Sequence, residues 1–226
     1  MNTSNLVVCM VGSTGAIGSH VLRFLNEEKK VSQIITLTRK SQDTPLSKER
    51  NQVINFDEIN RLKENLKADI FICCLGTTIK IAGSKQAFRK VDYNYVVEFG
   101  KLAEAVSAQK LLVVSSVGAN PKSLGFYSRT KGEMESTVKK LNISSIEIFQ
   151  PSLLLGERSD FRPAENIAKL IAPLLNPLLT GSMKKYRAVE AQTVAKALSI
   201  RSLASDTGFK AFNSDQIENY LRASRI

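Results

Sequence analysis

Apolar positions along the chain fall into short runs, separated by stretches where they recur every third or fourth residue. The run Leu6–Val11 (LVVCMV) ends at a glycine and predicts a strand buried on both faces. Over residues 16–28, Ile17, Val21, Leu22 and Leu25 fall on one helical face. Further strands are predicted at 33–38, 51–55, 68–75, 110–115 and 145–149, the last closed by Pro151. Helical spacing appears at 58–66, at 84–108 (Val91, Tyr95, Val96, Phe99, Leu102, Ala103, Val106) and at 125–141. Strands alternating with helices predict an α/β fold: a doubly wound parallel Rossmann sheet with right-handed crossovers.

From Leu153 onward the pattern changes. This remainder contains Pro163, Pro173 and Pro177 and an apolar helical stretch at 164–179. A helix at 191–203, a short strand at 209–213 and a final helix from Asp215 follow. We read residues 1–226 as one Rossmann domain, with 153–226 contributing a small C-terminal cap on the substrate side. The apolar stretch Ile167, Leu170, Ile171, Leu174, Leu175, Leu178 and Leu179 reads first as a helix lining the substrate pocket. A membrane-surface or partner-binding role is the alternative, because Lys184, Lys185 and Arg187 follow it.

Composition narrows this picture. With 226 residues, 43% hydrophobic and 23% charged, the chain suits one ordinary globular domain. No apolar run approaches the roughly 18 residues a membrane span needs. No export signal is evident, so a cytoplasmic location is expected. Cys9, Cys73 and Cys74 lie in apolar runs and read as small buried hydrophobes; with one histidine, His20, on a helix surface, no metal site is expected. The formal charge of +11 is spread over scattered lysines and arginines with no nucleic-acid motif. It reads as solvated surface, with steering of a phosphorylated cofactor as the second reading. The expected partner is a small-molecule substrate, with no nucleic acid and no membrane contact, in a monomer or homodimer.

The candidate chemistry begins at Gly12-Ser13-Thr14-Gly15-Ala16-Ile17-Gly18, between a strand and a helix. Glycine permits the tight turn and lets backbone approach a pyrophosphate, and the helix start offers free N–H groups. About 20 residues beyond such a turn, NAD-specific folds place a carboxylate on the ribose and NADP-specific folds a basic residue. Here the second strand ends Thr38-Arg39-Lys40, which predicts NADP(H). Asn55-Phe56 ends the third strand, on the adenine side, and Leu75-Gly76-Thr77 ends the fourth, beside the ribose and pyrophosphate.

Tyr127 and Lys131, four apart on a predicted helix, share one face. A lysine there favours the phenolate, so Tyr127 is a candidate proton donor or acceptor. Ser115 and Ser116 end the fifth strand, where a hydroxyl can polarise a substrate carbonyl.

The Gly-x-x-Gly-x-x-Gly spacing resembles the extended and atypical branches of the short-chain dehydrogenase/reductase superfamily. Cys73-Cys74-Leu75-Gly76-Thr77-Thr78, Ala82-Gly83-Ser84, Phe88, Val91-Asp92, Ser115-Ser116-x-Gly118-Ala119, Tyr127-x-x-x-Lys131-Gly132-Glu133 and Phe149-x-Pro151 narrow it further. Together they resemble the Tat-interacting-protein oxidoreductases and their bacterial epimerase-like relatives, over about residues 6–200. The resemblance implies NADP(H) binding through Thr14, Gly15, Ala16, Ile17, Arg39, Lys40, Leu75, Gly76, Tyr127, Lys131 and the Leu154 backbone. It points to Arg162 as a cofactor-closing residue and favours Ser116 over Ser115 as the active-site hydroxyl. Asn55 stands where the family has an acid, and Val117 follows Ser116 without a further polar group. The reading that results is hydride transfer to or from a small carbonyl or alcohol, or epimerisation through a keto intermediate. The alternative is a non-catalytic NADP(H)-responsive regulator.

Overall fold

The computed structural model describes residues 5–42, 44–155 and 180–223. The predicted helix at 164–179 and Arg162 lie outside the described residues. Seven strands form one sheet: β1 (Leu6–Val11), β2 (Val31–Thr38), β3 (Glu49–Val53), β4 (Ile70–Cys73), β5 (Lys110–Val114), β6 (Ser145–Gln150) and β9 (Gly208–Asn213). Their spatial order is β3-β2-β1-β4-β5-β6-β9, and every pairing is parallel. The order reverses between β1 and β4, and ligands of open α/β sheets bind at such a switch point, beyond the carboxyl ends of the strands. Two short strands, β7 (Leu154–Leu155) and β8 (Val189–Glu190), pair separately.

The edge strand β3 (ERNQV) is polar and has no buried residue, whereas the central strands β1, β4 and β5 are almost wholly apolar because both faces are covered. Alternation divides them between two cores. Val8 and Met10 of β1 and Leu112 and Val114 of β5 face one side, which packs under α1 (Gly18–Glu27), α6 (Ala191–Ser202) and α7 (Ser214–Ala223). Cys9, Val11, Leu111 and Val113 face the other, under α4 (Val96–Ala105) and α5 (Phe126–Val138). In α1 the buried residues are Gly18, Val21, Leu22 and Leu25, the stripe expected from the spacing.

The single helix expected over 84–108 is broken. Thr78 caps α2 (Ile79–Ala82), which ends at Gly83 with φ +83°; Ser84 caps α3 (Lys85–Arg89). A π-helical turn, Lys90–Tyr95, then leads into α4. A π turn inserts one residue into the helical register. The inward position therefore falls on Asp92, which is fully buried, while Val91 is only half-buried.

Candidate active site

The glycine turn owes its shape to sterics. Gly12 has φ +78°, and a Cβ there would lie 2.5 Å from the Cys74 carbonyl carbon, so the chain leaving β4 runs directly against it. A Cβ on Gly18 would lie 2.0 Å from the Gly12 oxygen. The Gly15 amide closes the turn by donating to the Gly12 oxygen at 3.1 Å. Gly15 differs from the other two: its Cβ would meet only the Gly12 oxygen, at 3.4 Å, and both Gly15 and Thr14 are exposed. At the end of β4, Gly76 is likewise open, with only Asp92 Oδ1 at 3.7 Å from its would-be Cβ. Ile17, before α1, makes no side-chain cap, and the first turn of α1 holds no acid. The helix thus presents uncapped N–H groups and positive potential beside bare backbone, a donor set that fits a pyrophosphate.

The other residues expected at the cofactor are distributed as follows. Ser13 is buried, Ala16 half-buried and Ile17 buried in the core. Arg39 and Lys40 are exposed just past β2, where Thr38 Oγ1 donates to the Lys40 carbonyl at 2.7 Å. Asn55 Oδ1 accepts from the Asp57 amide and so caps the 3₁₀ helix Phe56–Glu64. Phe56 is buried, its ring 5.2 Å from that of Tyr95. Leu75 and Thr77 are half-buried, and Leu154, in β7, pairs with Val189.

Past β5, the chain reaches α5 through a loop pinned to that helix. A Cβ on Gly132 would strike the Asn120 backbone at 2.2 Å, and the Asn120 amide donates to the Ser128 carbonyl at 3.0 Å. Tyr127 is 38% exposed, its ring 5.4 Å from that of Phe88. Lys131, one turn on, is 3% exposed, and its Nζ lies 2.7 Å from Asp92 Oδ1. The second oxygen, Asp92 Oδ2, accepts from the Thr77 amide at 2.9 Å. One carboxylate therefore ties Lys131 to the loop after β4. Burial alone would lower the pKa of Lys131, but the charges of Asp92 and Tyr127 outweigh it and the net direction is up. Lys131 is held as a cation.

The two serines part company at the end of β5. Ser115 continues the ladder, its amide donating to the Phe149 carbonyl at 2.7 Å, and it is buried. Ser116 is half-buried, with its hydroxyl 3.4 Å from the Val117 carbonyl. Glu135, one turn beyond Lys131, accepts from Gln150 Nε2 at 3.0 and 2.8 Å; burial raises its pKa against the hydrogen bonds of Ser115 and Gln150.

Asp92 and Glu135 were not among the site residues expected from sequence. Asp92 carried a signal, as a carboxylate adjoining an apolar helical position, but its partner is remote in the chain. The described residues contain no cluster of three or more metal-ligating side chains. Burial pushes the Cys73 thiol up to about 12, which suits an inert core residue.

Comparisons place this geometry in a family. Residues 8–190 match the NAD dependent epimerase/dehydratase family. The chain is 31% identical over 215 residues to "Protein fmp52, mitochondrial" of Aspergillus fumigatus, covering 92% of this chain and 89% of that protein. It is 36% identical over 154 residues to the FMP52 protein of Meyerozyma guilliermondii, covering 66% and 65%. Among solved structures, MoeE5 in complex with UDP-glucose and NAD aligns with a TM-score of 0.69 at 16% identity, over 90% of this chain and 74% of that one. The Lactococcus lactis oxidoreductase ylbE aligns with a TM-score of 0.67 at 19% identity, over 96% and 97%. These structural likenesses bear out the Rossmann-like α/β fold. The expected cytoplasmic location is overturned, because these relatives are named as mitochondrial proteins; that expectation rested only on the lack of a recognisable signal. A switch-point glycine turn followed by a buried lysine one turn from an accessible tyrosine is thus the setting of a nicotinamide-dinucleotide enzyme fold, and the chain belongs to the NAD dependent epimerase/dehydratase family.

Proposed function

We propose that the chain is an NADP(H)-dependent oxidoreductase of the atypical short-chain dehydrogenase/reductase type, in the branch resembling the Tat-interacting-protein oxidoreductases, acting on a small carbonyl or alcohol. The observation that carries this reading is the Asp92–Lys131 pair beneath Tyr127. Tyr127, accessible one turn from that lysine, is placed to give a proton to a nascent alkoxide or take one from an alcohol. Ser116 donates its hydroxyl to the substrate oxygen and orients it. Lys131 also reaches the side on which a nicotinamide ribose would lie. The bare backbone at Gly15 and Gly76 receives the pyrophosphate, and Arg39 with Lys40 receives a 2′-phosphate. When bound, the nicotinamide supplies the acceptor or donor of two electrons that no side chain here provides.

NADP rather than NAD is supported by the tip of β2, where Arg39 and Lys40 are both exposed and residues 38–42 include no acid. Epimerisation with the cofactor retained is the second reading, favoured by the family's description. The relatives' names support a mitochondrial location for this chain as well. The test is NADPH oxidation against a panel of aldehydes and ketones. Turnover is expected, and Tyr127→Phe should lower it by roughly 10²–10⁴-fold, the usual worth of a general acid. Undiminished turnover in that variant would refute the mechanism.

A further inference from the structure

Between the end of β2 and the glycine turn lies a side-chain bridge that the proposed chemistry does not use. Gln42 Nε2 donates to Ser13 Oγ at 3.1 Å. Ser13 is 2% exposed, so its hydroxyl is a fixed post in the wall of the turn. Gln42 is half-buried and is itself held: its amide donates to Asn51 Oδ1 at 3.3 Å. Asn51 Nδ2 in turn donates to Thr38 Oγ1 at 2.9 Å and to Thr36 Oγ1 at 3.0 Å. The loop carrying Arg39 and Lys40 is therefore anchored to β2 and β3 by Asn51 and to the turn by Gln42.

This places a carboxamide in one corner, with the glycine turn on one side and two exposed cations on the other. In a dinucleotide site of this topology, the same corner receives the 2′ substituent of the adenine ribose. We propose that Gln42 is a specificity-determining residue that, with Ser13, sets the preference between a ribose 2′-phosphate and a ribose 2′-hydroxyl. The inference rests on the reading of the glycine turn as the cofactor site. A carboxamide both donates and accepts. Its Nε2 can donate to a phosphate oxygen without adding charge, while the neighbouring cations balance the phosphate. A carboxylate at the same place would accept from a hydroxyl and repel a phosphate.

The test is titration of the purified full chain with NADPH and with NADH, followed by nicotinamide fluorescence, for wild type, Gln42→Glu, Gln42→Met and Ser13→Ala. Gln42→Glu should shift the ratio of the two dissociation constants at least tenfold towards NADH. Gln42→Met and Ser13→Ala should shift it the same way by smaller factors. Thermal melts confirm that each variant is folded, and Ser13→Ala cuts the same bridge from its other end should a Gln42 variant fail to fold. A ratio within twofold of wild type in Gln42→Glu, or equal weakening of both cofactors, would overturn the inference. A wild type that prefers NADH while the ratio still shifts would refute the NADP reading and leave the role of Gln42 standing.

Discussion

Among the described residues two lysines are buried against carboxylates, at opposite ends of the sheet's strands. Lys131, at the carboxyl edge, meets Asp92 at 2.7 Å and stands one turn from a partly exposed tyrosine. Lys110 opens β5 at the amino edge, where Nζ donates to the carbonyls of Arg201 at 3.0 Å and Ala204 at 2.7 Å and lies 3.4 Å from Glu147 Oε1. Arg201 closes on the same Glu147, with Nε 2.9 Å from Oε2, and stacks over Phe212 and Tyr220. The pKa directions differ. Burial, aided by the nearby charges of Arg201 and Lys210, lowers that of Lys110 despite Glu147, whereas Asp92 and Tyr127 raise that of Lys131 despite burial. The amino-edge cluster joins β5 and β6 to the end of α6, and the half-buried Asp206 completes it, pairing with Arg201 and lying 3.7 Å from Lys110 Nζ. The carboxyl-edge pair leaves its cation beside a group that can exchange protons. Burial of a charge does not by itself mark a site, because structural ion-pair networks shift pKa values as well.

The comparison can be broken most sharply at Glu147. Glu147→Ala removes the buried carboxylate that Lys110 and Arg201 share and leaves them only the half-buried Asp206, and we expect a loss of about 3–5 kcal/mol. The melting midpoint should fall by on the order of 10 °C, with NADPH affinity of the folded protein unchanged. Asp92→Asn comes next. It keeps an acceptor for the Thr77 amide but removes the countercharge, so burial then dominates at Lys131. Turnover should drop by about 10–100-fold and fall further as pH rises through the lowered lysine pKa, a dependence read from pH–rate profiles.

Glu135 sharpens the contrast from the acid side. Its folded pKa is raised, so its contribution to stability is full below its ordinary value of 4.5 and is lost as pH rises through the folded value. Glu135→Gln should therefore gain stability relative to wild type as pH rises above 4.5, measured by denaturant melts at each pH. The smallest effect is expected far from both edges. Ser107 ends α4 at φ +57°, where the Ala108 amide donates to the Ala103 carbonyl and the Ser107 amide to that of Glu104. Ser107→Gly relieves this left-handed position and should stabilise by about 1 kcal/mol, giving a background in which the weaker variants can be measured.

The strands and the glycine turn were legible because local patterns dictate them. Apolar runs such as LVVCMV can only be buried on both faces, and Gly12 and Gly18 stand where any Cβ would meet backbone. The helix at 84–108 was legible as helix but not in its register. Asp92 turns inward through a π turn whose gain is an ion pair with a residue on another helix, and local spacing carries no trace of that. Glu147 was visible as a charge within the apolar strand SIEIF, yet its partners come from β5 and from the end of α6. Tyr127 and Lys131 could be paired from their spacing alone, since four residues is one helical turn; the carboxylate that holds the lysine charged could not.

The most direct test measures both lysines together: NADPH affinity by nicotinamide fluorescence, and melting midpoint, for Lys131→Met and Lys110→Met. We predict that Lys131→Met weakens NADPH at least about tenfold, the worth of a charged hydrogen bond, while Lys110→Met lowers the melting midpoint and leaves NADPH affinity within twofold of wild type. Unchanged NADPH affinity in Lys131→Met, or equal weakening in both variants, would contradict the assignment of the carboxyl-edge pair to the cofactor and its chemistry.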